Sequence, residues 1–187
     1  MKKLIILLLF IVKCHFLFSQ EENLVVFFVD AITNSAPVYS NNTDNDIITN
    51  IKEDSEKENW HNVEILEQSN NRYKVHITSC REYDDTTSIK GWVDKELCGV
   101  WLRGKYIKRD LFIVSFYTKP GLLKPFMKLS SRYFGDFERY TKGQAASVLD
   151  YKLYNGEYWI KTEIIKDNKK IVGWTKDYCP SVYDACN

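Results

Sequence analysis

The sequence predicts an all-β protein, and three observations carry that expectation. Short runs alternate apolar and polar side chains. Tyr73, Val75 and Ile77 fall on one face with Lys74 and His76 on the other, and Tyr158, Ile160, Thr162 and Ile164 oppose Trp159, Lys161 and Glu163. Period two in β-branched and aromatic residues marks half-buried strands, and no long stretch carries the 3.6-residue period of an amphipathic helix. Aromatic side chains make up 14% of the chain, rich in Tyr and Trp, which favour a pleated surface over a helix. The third observation is an internal repeat.

The first copy runs Asn62 to Glu67, a polar turn over Gln68 to Asn71, Arg72-Tyr73-Lys74-Val75-His76-Ile77, a variable loop, then Ile89-Lys90-Gly91-Trp92-Val93. The second runs Ala146-Ser147-Val148-Leu149-Asp150, a turn ending at Asn155-Gly156, Tyr158 to Ile164, then Ile171-Val172-Gly173-Trp174-Thr175. Each copy is strand, turn, strand, loop and Gly-Trp strand, with a cysteine six or seven residues beyond the Gly. Asn155-Gly156 and Asp167-Asn168 supply residues that accept positive φ, as two tight hairpin turns require. Leu24 to Val29 reads as the first strand of one copy and Leu111 to Tyr117 as its counterpart in the other. Ser40 to Asp46 and Lys52 to Asn59 read as surface loops, and Phe126 to Tyr140 as a region holding one short helix.

This order of elements resembles the bacterial SH3-like (SH3b) domain family. Tyr140-Thr141-Lys142-Gly143 through Leu149 is similar to that family's Lys-Gly strand, Trp159-Ile160-Lys161-Thr162 to its Trp-x-Lys-Val element, and Gly173-Trp174-Thr175 to its Gly-Trp-Val element. The first copy matches with Tyr73-Lys74-Val75 and Gly91-Trp92-Val93, but Arg72 stands where the pattern has Trp, and its Lys-Gly element is missing. The resemblance implies two tandem small SH3-like β-barrels, residues 21–98 and 111–187, joined by a linker over residues 99–110. It also implies a binding module for peptidoglycan peptide or an envelope protein, through aromatic-lined grooves. The candidate ligand-binding residues are Trp92, Trp174, Trp159 and Tyr73. For Trp92 and Trp174 the competing role is closure of a core edge, and for Tyr73 it is the core itself, since Tyr73 shares a face with Val75.

The N-terminus adds an expectation of export. Lys2 and Lys3 precede an apolar run from Leu4 to Val12, and a small residue, Ser19, follows, as in a secretory signal over residues 1–20. Lys13 and His15 interrupt the run too early for a membrane-spanning helix, which needs about 20 mostly apolar residues. Lys13 before Cys14 is a poor fit to a lipoprotein cleavage box. The expected location is therefore secreted or periplasmic, with no membrane span after cleavage. Loss of Lys2, Lys3 and Lys13 leaves 23 basic against 25 acidic side chains, and a field so balanced offers nucleic acid no phosphate-neutralising surface.

Four cysteines follow the signal: Cys80, Cys98, Cys179 and Cys186. In an oxidising compartment an even set reads as disulfides. Of the three pairings, Cys80–Cys98 and Cys179–Cys186 each close a loop within one proposed domain. A zinc site is disfavoured, because no C-x-x-C pair is present. Neither metal nor cofactor is expected. Enzymatic motifs are equally scarce: there is no H-E-x-x-H, G-x-S-x-G or Gly-rich phosphate loop, and His61 and His76 are the only histidines beyond the signal. The expectation is a non-catalytic binding protein. The alternatives are a structural or inhibitory envelope protein and, behind it, a cell-wall hydrolase.

Overall fold

Alternation becomes strand wherever one face finds a core, and the computed structural model, which describes residues 23–29, 35–52, 61–79, 88–104, 106–108, 111–131 and 144–179, is built that way. The first half contains β1 (Leu24–Phe28), β2 (Ala36–Tyr39), β3 (Ile47–Ile51), β4 (His61–Gln68), β5 (Arg72–Ser79) and β6 (Ser88–Asp94). One 3-10 turn (Lys95–Leu97) leads into β7 (Cys98–Leu102). The second half contains β8 (Tyr106–Lys108), β9 (Leu111–Phe116), β10 (Met127–Ser130), β11 (Gln144–Tyr154), β12 (Glu157–Lys166), β13 (Lys169–Thr175) and β14 (Tyr178–Cys179). The protein is all-β, and every ladder is antiparallel. Among the described residues the ladders do not close into barrels.

Each half is organised around a meander. In the first, β4, β5 and β6 pair in succession, β1 returns along β4, and β2 meets β6 where Tyr39 pairs with Trp92. In the second, β11, β12 and β13 pair in succession, and Tyr117 forms a bridge to Trp174. Both expected two-residue turns are present. Asn155 and Gly156 have φ of 54° and 77°, and Asp167 and Asn168 have 51° and 61°. Their left-handed backbone matches the twist of the flanking strands.

The segment over residues 99–110, expected as a linker, holds strands instead. Gly99 of β7 pairs with Phe27 on one side and with Ser147 on the other, and β7 also receives β14 through Leu102 and Trp101. One sheet therefore runs from β13 through β11, β7 and β1 to β3. For the second half β7 takes the place that β1 takes in the first: it flanks the opening strand of the meander and receives the last strand. The Leu111–Tyr117 segment is accordingly not the counterpart of β1. Its end meets a Gly-Trp strand, as β2 does. Met127–Ser130, in the region expected to hold a helix, pairs with β9 as a strand; residues 132–140 lie outside the described residues.

The core is one cluster that crosses both halves. Val26, Phe28, Val63, Tyr73, Val75, Ile77 and Val93 pack in the first half, and Phe112, Val114, Phe116, Val148, Ile160 and Ile164 in the second, with Cys98, Val100 and Leu102 between them. Tyr73 joins the halves directly, its O–H donating to the Val148 carbonyl at 3.0 Å. Gly104 allows a second close approach, because a Cβ there would overlap the Ile113 carbonyl.

Cys98 is a free thiol, fully buried, so the expected Cys80–Cys98 bridge is absent from the structure. The physical reason is placement: Cys98 is paired with Phe28 inside the core, where it packs as a small apolar side chain. Burial pushes its thiol up, which keeps it protonated and unreactive. Cys179 is disulfide-bonded to a partner outside the described residues, where Cys80 and Cys186 also lie.

Two predictions follow from this packing. Gly104→Ala should lower stability by about 2–3 kcal/mol, since overpacking against backbone leaves no rotamer to yield. Loss in a single urea transition monitored by tryptophan fluorescence is the expected result. Asp177 gives a pH-dependent case. Its carboxylate accepts the Ser115 N–H at 2.7 Å, yet burial raises its pKa above the ordinary value. The unfolded chain then ionises first as pH rises, so this group costs stability progressively above about pH 4. Asp177→Asn, which keeps an acceptor for Ser115, should be more stable than the parent at pH 7, with the gap closing on acidification. Melting curves from pH 3 to 7 check it.

Candidate functional site

The face of each meander that bears the Gly-Trp tryptophan is where the sequence places most of the candidate binding residues. In both copies the Gly permits a crossing. A Cβ at Gly91 would overlap Val38, and one at Gly173 would crowd the Phe126 ring and Phe116. With the strand brought that close, Tyr39 pairs with Trp92 and Tyr117 with Trp174, the latter through two backbone hydrogen bonds of 2.8 Å. The tryptophan after each Gly is thus set beside a tyrosine by backbone pairing.

A third position completes each cluster and differs between copies. In the first it is Arg72, whose guanidinium stacks 3.6 Å from the Tyr39 ring centroid. Its Nε donates to Asp94 at 2.9 Å, Nη1 to the Asp44 carbonyl at 2.6 Å and the Asn41 carbonyl at 3.3 Å, and Nη2 to Asn45 Oδ1 at 2.9 Å. Tyr39 O–H also donates to Asp94, at 3.3 Å. Arg72 is buried with its donors engaged, so it pins the Ser40–Asp46 loop onto β5 and β6. That loop is shaped from within by Asn41 Oδ1, which accepts the N–H groups of Thr43 and Asp44.

In the second copy the same position is Trp159, with the Tyr117 ring edge-on at 5.1 Å between centroids. The residue equivalent to Asp94 is Lys176, whose ammonium lies 5.8 Å from the Trp159 centroid and 2.7 Å from Glu157. Lys152 stands 5.5 Å over the Trp174 ring. Trp159 and Trp174 are only 4% and 7% exposed, and the Trp159 Nε1 donor has no hydrogen-bond partner.

Of the expected ligand residues, then, Trp159 and Trp174 share the second cluster, and Trp92 lies half-buried in the first. Tyr73 belongs to the core instead. It is fully buried, its hydroxyl is used by Val148, and Tyr151 and Lys95 pack on its ring, so no surface of it meets a ligand.

Sequence reading missed Arg72, Tyr39 and Tyr117 as members of these clusters, because only the crossing of β2 and Tyr117 over the meander brings them in. It also missed a polar row on β4, β5 and β6. His76 Nε2 lies 2.8 Å from Ser88 Oγ, and Nδ1 lies 3.6 Å from Glu64 Oε2. The row forms a cross-strand network on one face of β4, β5 and β6, of the sort that supports a sheet.

Among the described residues no group of three His, Cys, Asp or Glu side chains is placed to hold a metal, and no helix is long and apolar enough to cross a membrane. No family model, curated protein or solved structure matches this chain.

Arg72 supplies the test of this geometry. Arg72→Leu should cost about 2–3 kcal/mol of stability by stranding Asp94 and three loop acceptors. Arg72→Lys should recover little, because an ammonium cannot reproduce the planar fork or its stacking. Urea unfolding of the two variants measures both effects.

Proposed function

We propose that this is an exported, non-catalytic binding protein of two SH3-like units, which recognises a cell-wall peptide or an envelope protein through its aromatic clusters. The observation that carries the reading is the recurrence, in both halves, of a tyrosine brought beside a Gly-Trp tryptophan on the same face of a three-stranded meander. Such surfaces offer large rigid area at small entropic cost. The SH3-like reading is supported in the first half by the meander β4–β6, the one-turn 3-10 connection after it, and the return of β7 beside β1. In the second half the unit is completed by β7, which serves both.

Export is supported by the signal-like residues 1–20, which lie outside the described residues, and by the disulfide at Cys179, since such bonds persist in oxidising compartments. A purely protein-directed role, structural or inhibitory, draws support from Leu123, fully exposed, and Phe126, half-exposed, on the segment after Tyr117. Hydrolysis of cell wall has no such support.

The exported chain should sediment with purified peptidoglycan. Wild-type protein that stays in the supernatant and captures no envelope component would remove the proposal.

A further inference from the structure

We infer that the ligand site is confined to the second half, and that what it takes is a peptide bearing a free carboxylate. The inference rests on the binding role proposed above and adds to it which cluster is used, and for what chemistry.

The first cluster is already filled. Arg72 covers the Tyr39 ring, is neutralised by Asp94, and spends its remaining donors on the Ser40–Asp46 loop. A ligand entering there would have to displace a buried guanidinium from four acceptors. The chain has in effect supplied its own cation for that aromatic face and its own anion to hold it.

The second cluster carries the opposite provision. Trp159 replaces Arg72, so no internal group lies across Tyr117 in that way. Lys176 replaces Asp94, turning the acid of the first copy into a cation. Lys152 stands over Trp174 and Lys161 pairs with Trp174 in the ladder. Lys119 lies on the segment that leads away from Tyr117. Neither Lys119, Lys152 nor Lys161 has a carboxylate within ion-pair distance among the described residues, and Glu157 offsets only Lys176. Asp150 lies across the ladder from Lys161 without forming an ion pair. Unpaired ammonium groups around an aromatic surface complement a carboxylate and repel a cation.

The probes are acetyl-Ala-Ala-Ala with a free carboxylate and the same peptide as its amide, titrated calorimetrically into the exported full chain. The acid should bind with one site per chain, and the amide roughly fivefold more weakly, the ratio of one exposed ion pair. Lys152→Glu, on an exposed position, should weaken the acid at least as much without moving the melting temperature. Amide chemical shifts should change around Tyr117, Trp159 and Trp174 and not around Tyr39 and Trp92. Equal binding of acid and amide, two sites per chain, shifts around Tyr39, or no binding of the acid up to about millimolar would each overturn the inference. Sedimentation with peptidoglycan separates the two levels. If the chain sediments with the wall and shows any of those results, the carboxylate assignment falls while the binding role stands. If it neither sediments nor binds peptide, both fall.

Discussion

The pairing of β7 with β1 on one edge and β11 on the other holds the molecule together. Cys98, Gly99, Val100 and Leu102 are all buried, and Gly99 is contacted from both sides, by Phe27 and Ser147 across the ladders. A strand hydrogen-bonded along both edges cannot be withdrawn without breaking two ladders at once. Apolar residues from both halves then find a common core around it, and Tyr73 adds a hydrogen bond across the join. Two meanders that share a strand are joined by backbone pairing, because neither completes its set of backbone partners without β7.

That constraint also explains what was legible in the sequence. The hairpin turns were, because Asn-Gly and Asp-Asn at the ends of alternating runs have a local steric meaning that no tertiary contact alters. The faces of β5 and β12 were legible for the same reason: alternation with one face buried fixes which side chains point inward. β7 was not. Cys98-Gly99-Val100-Trp101-Leu102 carries no clean alternation, since it is sheltered on more than one side, and a short apolar run followed by Gly104 and several cations reads like a connection. Cys98 suffered from the same blindness. Its spacing from Cys80 fitted a bridge, and only the position of β7 inside the core shows that its thiol serves as packing.

The clusters were half legible. Gly-Trp stood out in both copies, but the partner that gives the Gly its reason is distant in sequence, on β2 for Gly91 and on or just after β9 for Gly173. Gly91 is required because Val38 would otherwise be overlapped, and Gly173 because Phe116 and Phe126 crowd it. Once the crossing is made, the residue after Gly must sit beside Tyr39 or Tyr117. The repeat therefore encodes a contact geometry more than a sequence, which is why the copies share so few identities.

Within that fixed geometry the third position was free to diverge, and its two solutions exclude one another. An arginine stacked on tyrosine needs an acid within reach, and Asp94 supplies it; a lysine there would leave the guanidinium buried against a like charge. A tryptophan at the same position needs no counterion, so Lys176 can replace the acid without cost to the fold and lie along the ring. Exchanging Arg72 and Trp159 singly would thus leave Asp94 unpaired in one half and set two cations together in the other. The pairs Arg72–Asp94 and Trp159–Lys176 are coupled choices: one locks a loop onto the sheet, and the other leaves an aromatic surface bordered by cations.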